Sequence, residues 1–152
     1  MTRTAARELA VRLCYASSEN PRDPEEVVSG AFDAAYYETL KAEDGLYAEP
    51  PDEEQREYIR RLVKGTTEHG AELDAYIEQY AVGWSFGRIS RTAVAVIKTA
   101  MFEVLYMPDV PPRAAINEAV ELAKKYDTPE TVSFVNGILG SFSRSEGLDG
   151  RE

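Results

Sequence analysis

Apolar residues recur at three- and four-residue spacing along nearly the whole chain, the mark of helices that bury one stripe and wet the other. Ala6, Leu9, Ala10, Leu13 and Cys14 keep that spacing and predict a first helix from about Arg3 to Ser17. Asp23-Pro24-Glu25-Glu26 then supplies a cap, a first-turn proline and an acid three residues after the cap. These start a second helix, whose apolar positions are Val27, Val28, Ala31, Ala35 and Tyr36. Residues 43–54, EDGLYAEPPDEE, read as a loop. Tyr58, Ile59, Leu62 and Val63 mark a third helix ending near Gly65, and Leu73, Ile77 and Tyr80 a fourth ending before Gly83-Trp84. Ser90 caps a fifth with Val94, Ile97, Met101, Val104 and Leu105 on one face. Thr92 to Ile97 also alternates and is rich in β-branched residues, but the helical period continues through Leu105. Residues 107–112, MPDVPP, break the chain. Two helices follow, over about 112–126 and 129–143, the second with Thr128 as cap and Pro129 at its first position. The pattern predicts an all-α fold of about seven helices, with residues 1–143 as one helical domain and 144–152 as a disordered tail.

One position resists this pattern. Asn136-Gly137 falls near the middle of the last helix, where glycine costs about 1 kcal/mol relative to alanine. Either another backbone or a ligand comes close there, or the stretch is not helical. Val135, Ile138 and Leu139 at helical spacing read as core. Asn117 and Asn136 read as buried amides holding the last two helices together, each needing partners because an unpaired buried amide costs about 1–3 kcal/mol.

Composition narrows the function. The chain has 152 residues, 43% hydrophobic and 29% charged, enough to bury a core without staples. Its one cysteine, Cys14, excludes an intramolecular disulfide framework and a zinc cluster, and its place on an apolar face reads as a buried thiol. The longest uncharged run, Thr131 to Ser143, is well short of the roughly 20 residues a membrane helix needs. Arg3, Arg7 and Arg12 interrupt any signal-peptide core, so the expectation is a cytoplasmic protein that does not enter a membrane. The single histidine, His69, sits in a Glu68-His69-Gly70 junction that reads as an exposed helix connection. HExxH, GxSxG, P-loop and glycine-rich phosphate motifs do not occur, and the acid pairs Glu25-Glu26 and Glu53-Glu54 stand at helix starts, where the macrodipole accounts for them. The expectation is no catalysis, no metal and no cofactor. Function then lies in a surface.

The net charge of −10 argues against a polyanion partner until its distribution is considered. Residues 1–18 carry three arginines against one glutamate, a net +2. Residues 19–58 set thirteen acidic against three basic residues, a net −10, and residues 59–152 a net −2. Charges act over about 8–10 Å at moderate salt, so the basic first helix is locally distinct from the acidic block, which reads as a solvated face. With about 100° per residue and Arg7 at 0°, Arg3 falls near −40°, Tyr15 near 80° and Arg12 near 140°. The apolar residues take the opposite arc. One helix thus offers guanidiniums for bidentate phosphate contacts and an aromatic face for an unpaired base.

Several blocks occur in order: Arg3, Arg7-Glu8-Leu9-Ala10 and Leu13-Cys14-Tyr15; Leu62-Val63-Lys64-Gly65; Trp84 before Arg88-Ile89; and Ile97-Lys98 with Phe102-Glu103. They lead to Ile116-Asn117-Glu118-Ala119-Val120-Glu121-Leu122-Ala123-Lys124-Lys125 and, with eight residues between, Phe134-Val135-Asn136-Gly137. Over essentially its whole length the chain resembles the NusB family of bacterial transcription antitermination factors. The resemblance implies a fold of two small helical bundles, and binding to the single-stranded boxA element of nascent RNA. Binding is shared with NusE, a small-subunit ribosomal protein, within an RNA polymerase antitermination complex on ribosomal RNA operons. Carried over residue by residue, the RNA face would use Arg3, Arg7 and Arg12 together with Lys125, Glu130, Ser133 and Phe134. Gly137 then reads as a close-approach point where the last helix crosses a neighbour, leaving Phe134 near the RNA. Tyr15, Arg88 and Arg91 would lie on the NusE-facing surface.

The chain departs from the family pattern in two places. Thr4 and Ala5 interrupt the basic run of the first helix, and Ala93-Val94 stand where the family carries an acid followed by a base on the surface facing NusE. A second reading follows from these departures: a protein-interaction module of the same fold, homodimeric, with weakened or lost RNA binding. An acid restored at position 93 would, on the first reading, tighten NusE binding.

Overall fold

The computed structural model describes residues 1–83 and 89–148, and among them every regular element is helical. Eight α-helices follow one another: α1 Arg3–Glu19, α2 Pro24–Ala31, α3 Ala34–Leu40, α4 Glu53–Glu68, α5 Gly70–Tyr80, α6 Arg91–Tyr106, α7 Pro112–Tyr126 and α8 Pro129–Ser145. A short 3₁₀ turn, Gly45–Tyr47, precedes α4. The chain divides into two compact units, Met1–Thr67 and Glu68–Glu152.

In the first unit, α1 is capped by Thr2, whose hydroxyl accepts from the Ala5 amide at 3.0 Å. Ala6, Leu9, Ala10 and Val11 join Val27 and Val28 of α2 and Tyr58, Ile59, Leu62 and Val63 of α4 in the core. The expected second helix is two helices. Asp33 caps a new start, its carboxylate accepting from the Tyr36 amide at 3.0 Å. The break rotates the face, so Tyr37 is buried and Ala35 and Tyr36 point outward. Gly65 does not end α4. It is buried inside the helix, which continues to Glu68, while Thr66 and Thr67 satisfy their hydroxyls on the Leu62 and Val63 carbonyls at 2.8 and 2.9 Å. Cys14 is half-buried, not sealed in the core, and its sulfur lies 3.3 Å from the Thr66 hydroxyl.

In the second unit, α7 packs on α6 and α8, and α5 on α6 and α8. Leu73, Ile77, Ile97, Met101, Leu139 and Phe142 are fully buried between them. Ser90 caps α6 through the Ala93 amide and Thr128 caps α8 through the Thr131 amide. α8 runs past the expected end at 143: the amides of Leu148 and Gly147 bond the carbonyls of Ser143 and Arg144 at 2.8 and 3.2 Å. This closure needs Gly147 at φ +70, which glycine adopts without cost. His69 is not an exposed linker. It is half-buried, stacked 4.3 Å from the Tyr106 ring and 5.9 Å from Phe102.

Candidate nucleic-acid interface

The polar face of α1 differs from a solvated stripe. Residues 6 to 11 are buried all round the helix, so Arg7 is only 5% exposed. Its guanidinium lies 5.7 Å from the centre of the Tyr58 ring, and that of exposed Arg3 lies 4.0 Å from the same ring. A ring face attracts a cation over such distances, so Tyr58, which sequence reasoning took only as core, organises the basic end of α1. Arg12 is held by Asp44 at 2.7 Å, by buried Glu8 at 3.4 Å and by the Tyr47 hydroxyl at 3.4 Å. A carboxylate as buried as Glu8 needs a nearby cation, and Arg12 sits one turn on to supply it. Arg7 therefore does not stand clear of the core as the helical wheel implied, and Arg12 is engaged by carboxylates.

The remaining residues expected at the RNA face lie in the second unit. Lys125 is exposed in the last turn of α7, its ammonium 5.7 Å from the ring of exposed Tyr126. Glu130 is exposed in the first turn of α8, where the helix dipole favours its charge. Glu130, Ser133, Phe134 and Gly137 follow at one-turn spacing along an open groove of about 500 Å³, with Tyr80 and Val82 opposite. Phe134 is 7% exposed, so its ring belongs to the floor of the groove and is not an exposed stacking platform. Lys125 does not line this groove.

Gly137 is not a close-approach position. A methyl group there would meet nothing within 4 Å apart from the helix's own neighbouring backbone, and the residue is exposed. Asn117 and Asn136 are exposed as well, not buried partners. Val135, Ile138 and Leu139 are core.

On the expected partner surface, Tyr15 is 38% exposed and Arg91 is exposed at the start of α6, while Arg88 lies outside the described residues. Ala93 is 1% exposed and points into the core of its unit, so an acid there would not reach a partner. Beside it the Ser90 hydroxyl donates to Asp127 at 2.5 Å. Burial raises the Asp127 pKa, but the Ser90 hydroxyl, the Thr128 amide and Thr131 outweigh that and hold it below the usual carboxylate range. Among the described residues no group of three or more histidines, cysteines or acids could hold a metal ion, and no helix is long and apolar enough to cross a membrane.

The sequence pattern of the NusB family matches residues 4–144. The chain belongs to the NusB family. The transcription antitermination protein NusB of Thermoanaerobacter sp. (strain X514) is 36% identical over 149 residues, covering 98% of this chain and 95% of that protein. That of Symbiobacterium thermophilum is 38% identical over 144 residues, covering 95% and 90%. The fold agrees with T. maritima NusB at a TM-score of 0.77, with 28% identity over 95% of this chain and 92% of that one. A crystal structure of the antitermination factors NusB and NusE in complex with dsRNA matches at a TM-score of 0.72, covering 94% of this chain and 96% of that one. At 22% identity, that likeness speaks for the shared NusB fold alone.

Proposed function

We propose that this chain is a transcription antitermination protein that binds boxA-like RNA together with NusE and supports transcription of ribosomal RNA operons as part of an RNA polymerase antitermination complex. The observation that carries this reading is family identity along almost the entire chain, with relatives of matching length named as NusB antitermination proteins. The protein works in the cytoplasm and acts by binding, not by catalysis. Arg3, presented over Tyr58, and Lys125, beside Tyr126, are the exposed cations offered to phosphate. Arg7 and Arg12 serve behind them, one against the Tyr58 ring and one on Asp44 and Glu8. Glu130 and Ser133 present polar groups along the groove of α8, and Tyr15 and Arg91 face NusE.

A titration with boxA-like RNA, single-stranded and duplex, with and without NusE, tests the reading. Two phosphate contacts on a single strand imply a slope of log K against log salt of about −1.4, at about −0.7 per contact. Arg3→Ala and Lys125→Ala should each weaken the slope by about 0.7. A slope unchanged by both variants, or equal affinity for boxA-like and unrelated strands in the presence of NusE, refutes it.

A further inference from the structure

A basic recess lies apart from the residues assigned above. It is formed between the first two turns of α7 and the last turns of α8, with a volume of about 240 Å³. Its wall is Arg113, Ile116 and Asn117 from α7, and Gly140, Ser143 and Arg144 from α8. In a chain of net charge −10, this wall contains two arginines and no carboxylate. Both arginines are exposed, and among the described residues neither guanidinium is paired with an acid.

Two further features point to an anion. Ser143 is 2% exposed, and its hydroxyl has no hydrogen-bond partner although the residue lines the recess. A buried hydroxyl left unpaired is costly and calls for an explanation. The start of α7 is also uncapped by any side chain, because Pro111 occupies the cap position. Its first-turn amides and the positive end of the helix dipole therefore remain available one turn from the recess. Gly140 completes the arrangement. A methyl group there would lie 3.1 Å from Nη1 of Arg144, so the bare backbone lets that guanidinium fold back along α8 beside Ser143.

We infer that this recess binds a phosphate group, with Arg113 and Arg144 as the charged donors, the Asn117 amide and Ser143 hydroxyl completing its hydrogen bonds. The phosphate could be supplied as the free ion or as a backbone phosphate of an RNA strand. The RNA arm of the test rests on the function proposed above, and the free-ion arm does not.

The test uses the full chain, isotope-labelled and titrated with inorganic phosphate against chloride at constant ionic strength. Saturable shifts should appear at the amides of Arg113, Ala114, Asn117 and Gly140. Arg113→Ala and Arg144→Ala should each weaken phosphate binding about tenfold, the loss of one charge-assisted hydrogen bond. Arg144→Lys should recover part of the loss, and Ser143→Ala should weaken binding while the protein stays as stable or becomes more so. In the second arm, the salt slope for a boxA-like strand is measured with Arg113→Ala. A slope weaker by about 0.7 assigns the recess to the RNA backbone, and an unchanged slope assigns it to the free ion. Phosphate shifts that do not saturate, or that persist in the Arg113→Ala, Arg144→Ala double variant, overturn the site. Loss of RNA binding altogether with the phosphate response intact would instead reject the RNA function and leave the recess standing.

Discussion

Replacing Gly137 with alanine separates stability from binding at one atom. The residue lies near the middle of α8, is exposed, has no left-handed backbone angle, and leaves 4 Å of open space around an added methyl apart from its own helix. No steric cost opposes the substitution, so the helix preference for alanine should act in full, at about 1 kcal/mol. The gain comes largely from restricting the unfolded chain. For a protein of this size it corresponds to a melting temperature about 2–4 °C higher, readable by circular dichroism. Gly83 is the control. It too has open space, but its φ of +83 is left-handed, so alanine there should lower stability by about 1–2 kcal/mol. The same Gly137→Ala protein should bind boxA-like RNA more weakly, because the methyl group would project into the groove lined by Glu130, Ser133 and Phe134. A variant that melts at or below the parent temperature would show that a neighbour does approach Gly137, and would refute the argument.

Four other substitutions carry definite expectations. Ala93→Asp should destabilise by about 3 kcal/mol or more and fail to tighten NusE binding, because it buries an unpaired carboxylate; isothermal titration beside a thermal melt decides this. Arg7→Glu should unfold the first unit at lower temperature, by on the order of 3 kcal/mol, since it places a second acid beside buried Glu8. Arg3→Ala should change stability by only about 1 kcal/mol or less, the worth of an exposed cation–ring contact, while weakening RNA binding. The Tyr106 hydroxyl donates to Glu72 at 2.7 Å, and this bond, with burial and the Glu72 charge, pushes its pKa up to about 12. The folded pKa exceeds the unfolded value, so the stabilisation is complete below about pH 10 and is lost as pH rises toward 12. In Glu72→Gln, one tyrosine of the nine should ionise at lower pH in a spectrophotometric titration, and an unchanged curve would discount the bond.

Three of the helix starts that carry a side-chain cap were legible in the sequence. Ser90, Thr128 and the Asp23-Pro24 pair mark α6, α8 and α2 because each has a hydroxyl or carboxylate at the residue that must satisfy a first-turn amide. The break between α2 and α3 was not legible, since Ala31 and Ala35 continue a plausible four-residue spacing across it. Asp33 was the available signal, three residues before the amide it caps. Gly65 misled in the opposite direction. A glycine reads as a stop from sequence, but here a tightly packed helix simply buries it, and the true ends are set by Glu68 and Gly70. The closure of α8 had a visible residue, Gly147, whose neighbours are too polar to suggest that a helix continues to meet it.

The arginines show why a single-helix projection cannot assign a nucleic-acid face. Its angles are local, whereas burial is decided by residues far along the chain. Tyr58 lies more than forty positions after Arg7 and Arg3, and Asp44 comes from the acidic block that composition alone assigns to solvent. That carboxylate does two things: it caps the 3₁₀ turn through the Leu46 amide at 2.9 Å, and it meets Arg12. The acidic block is thus partly structural, and it offsets the positive charge counted in residues 1–18. What remains on the exposed surface of α1 for phosphate is chiefly Arg3. Specific binding of RNA should consequently draw less on charge and more on contacts that salt barely weakens. Stacking on an aromatic ring is worth about 1–3 kcal/mol per base. Phe134 cannot supply it from the groove floor, whereas Tyr126, 38% exposed beside Lys125, leaves a ring face open to solvent.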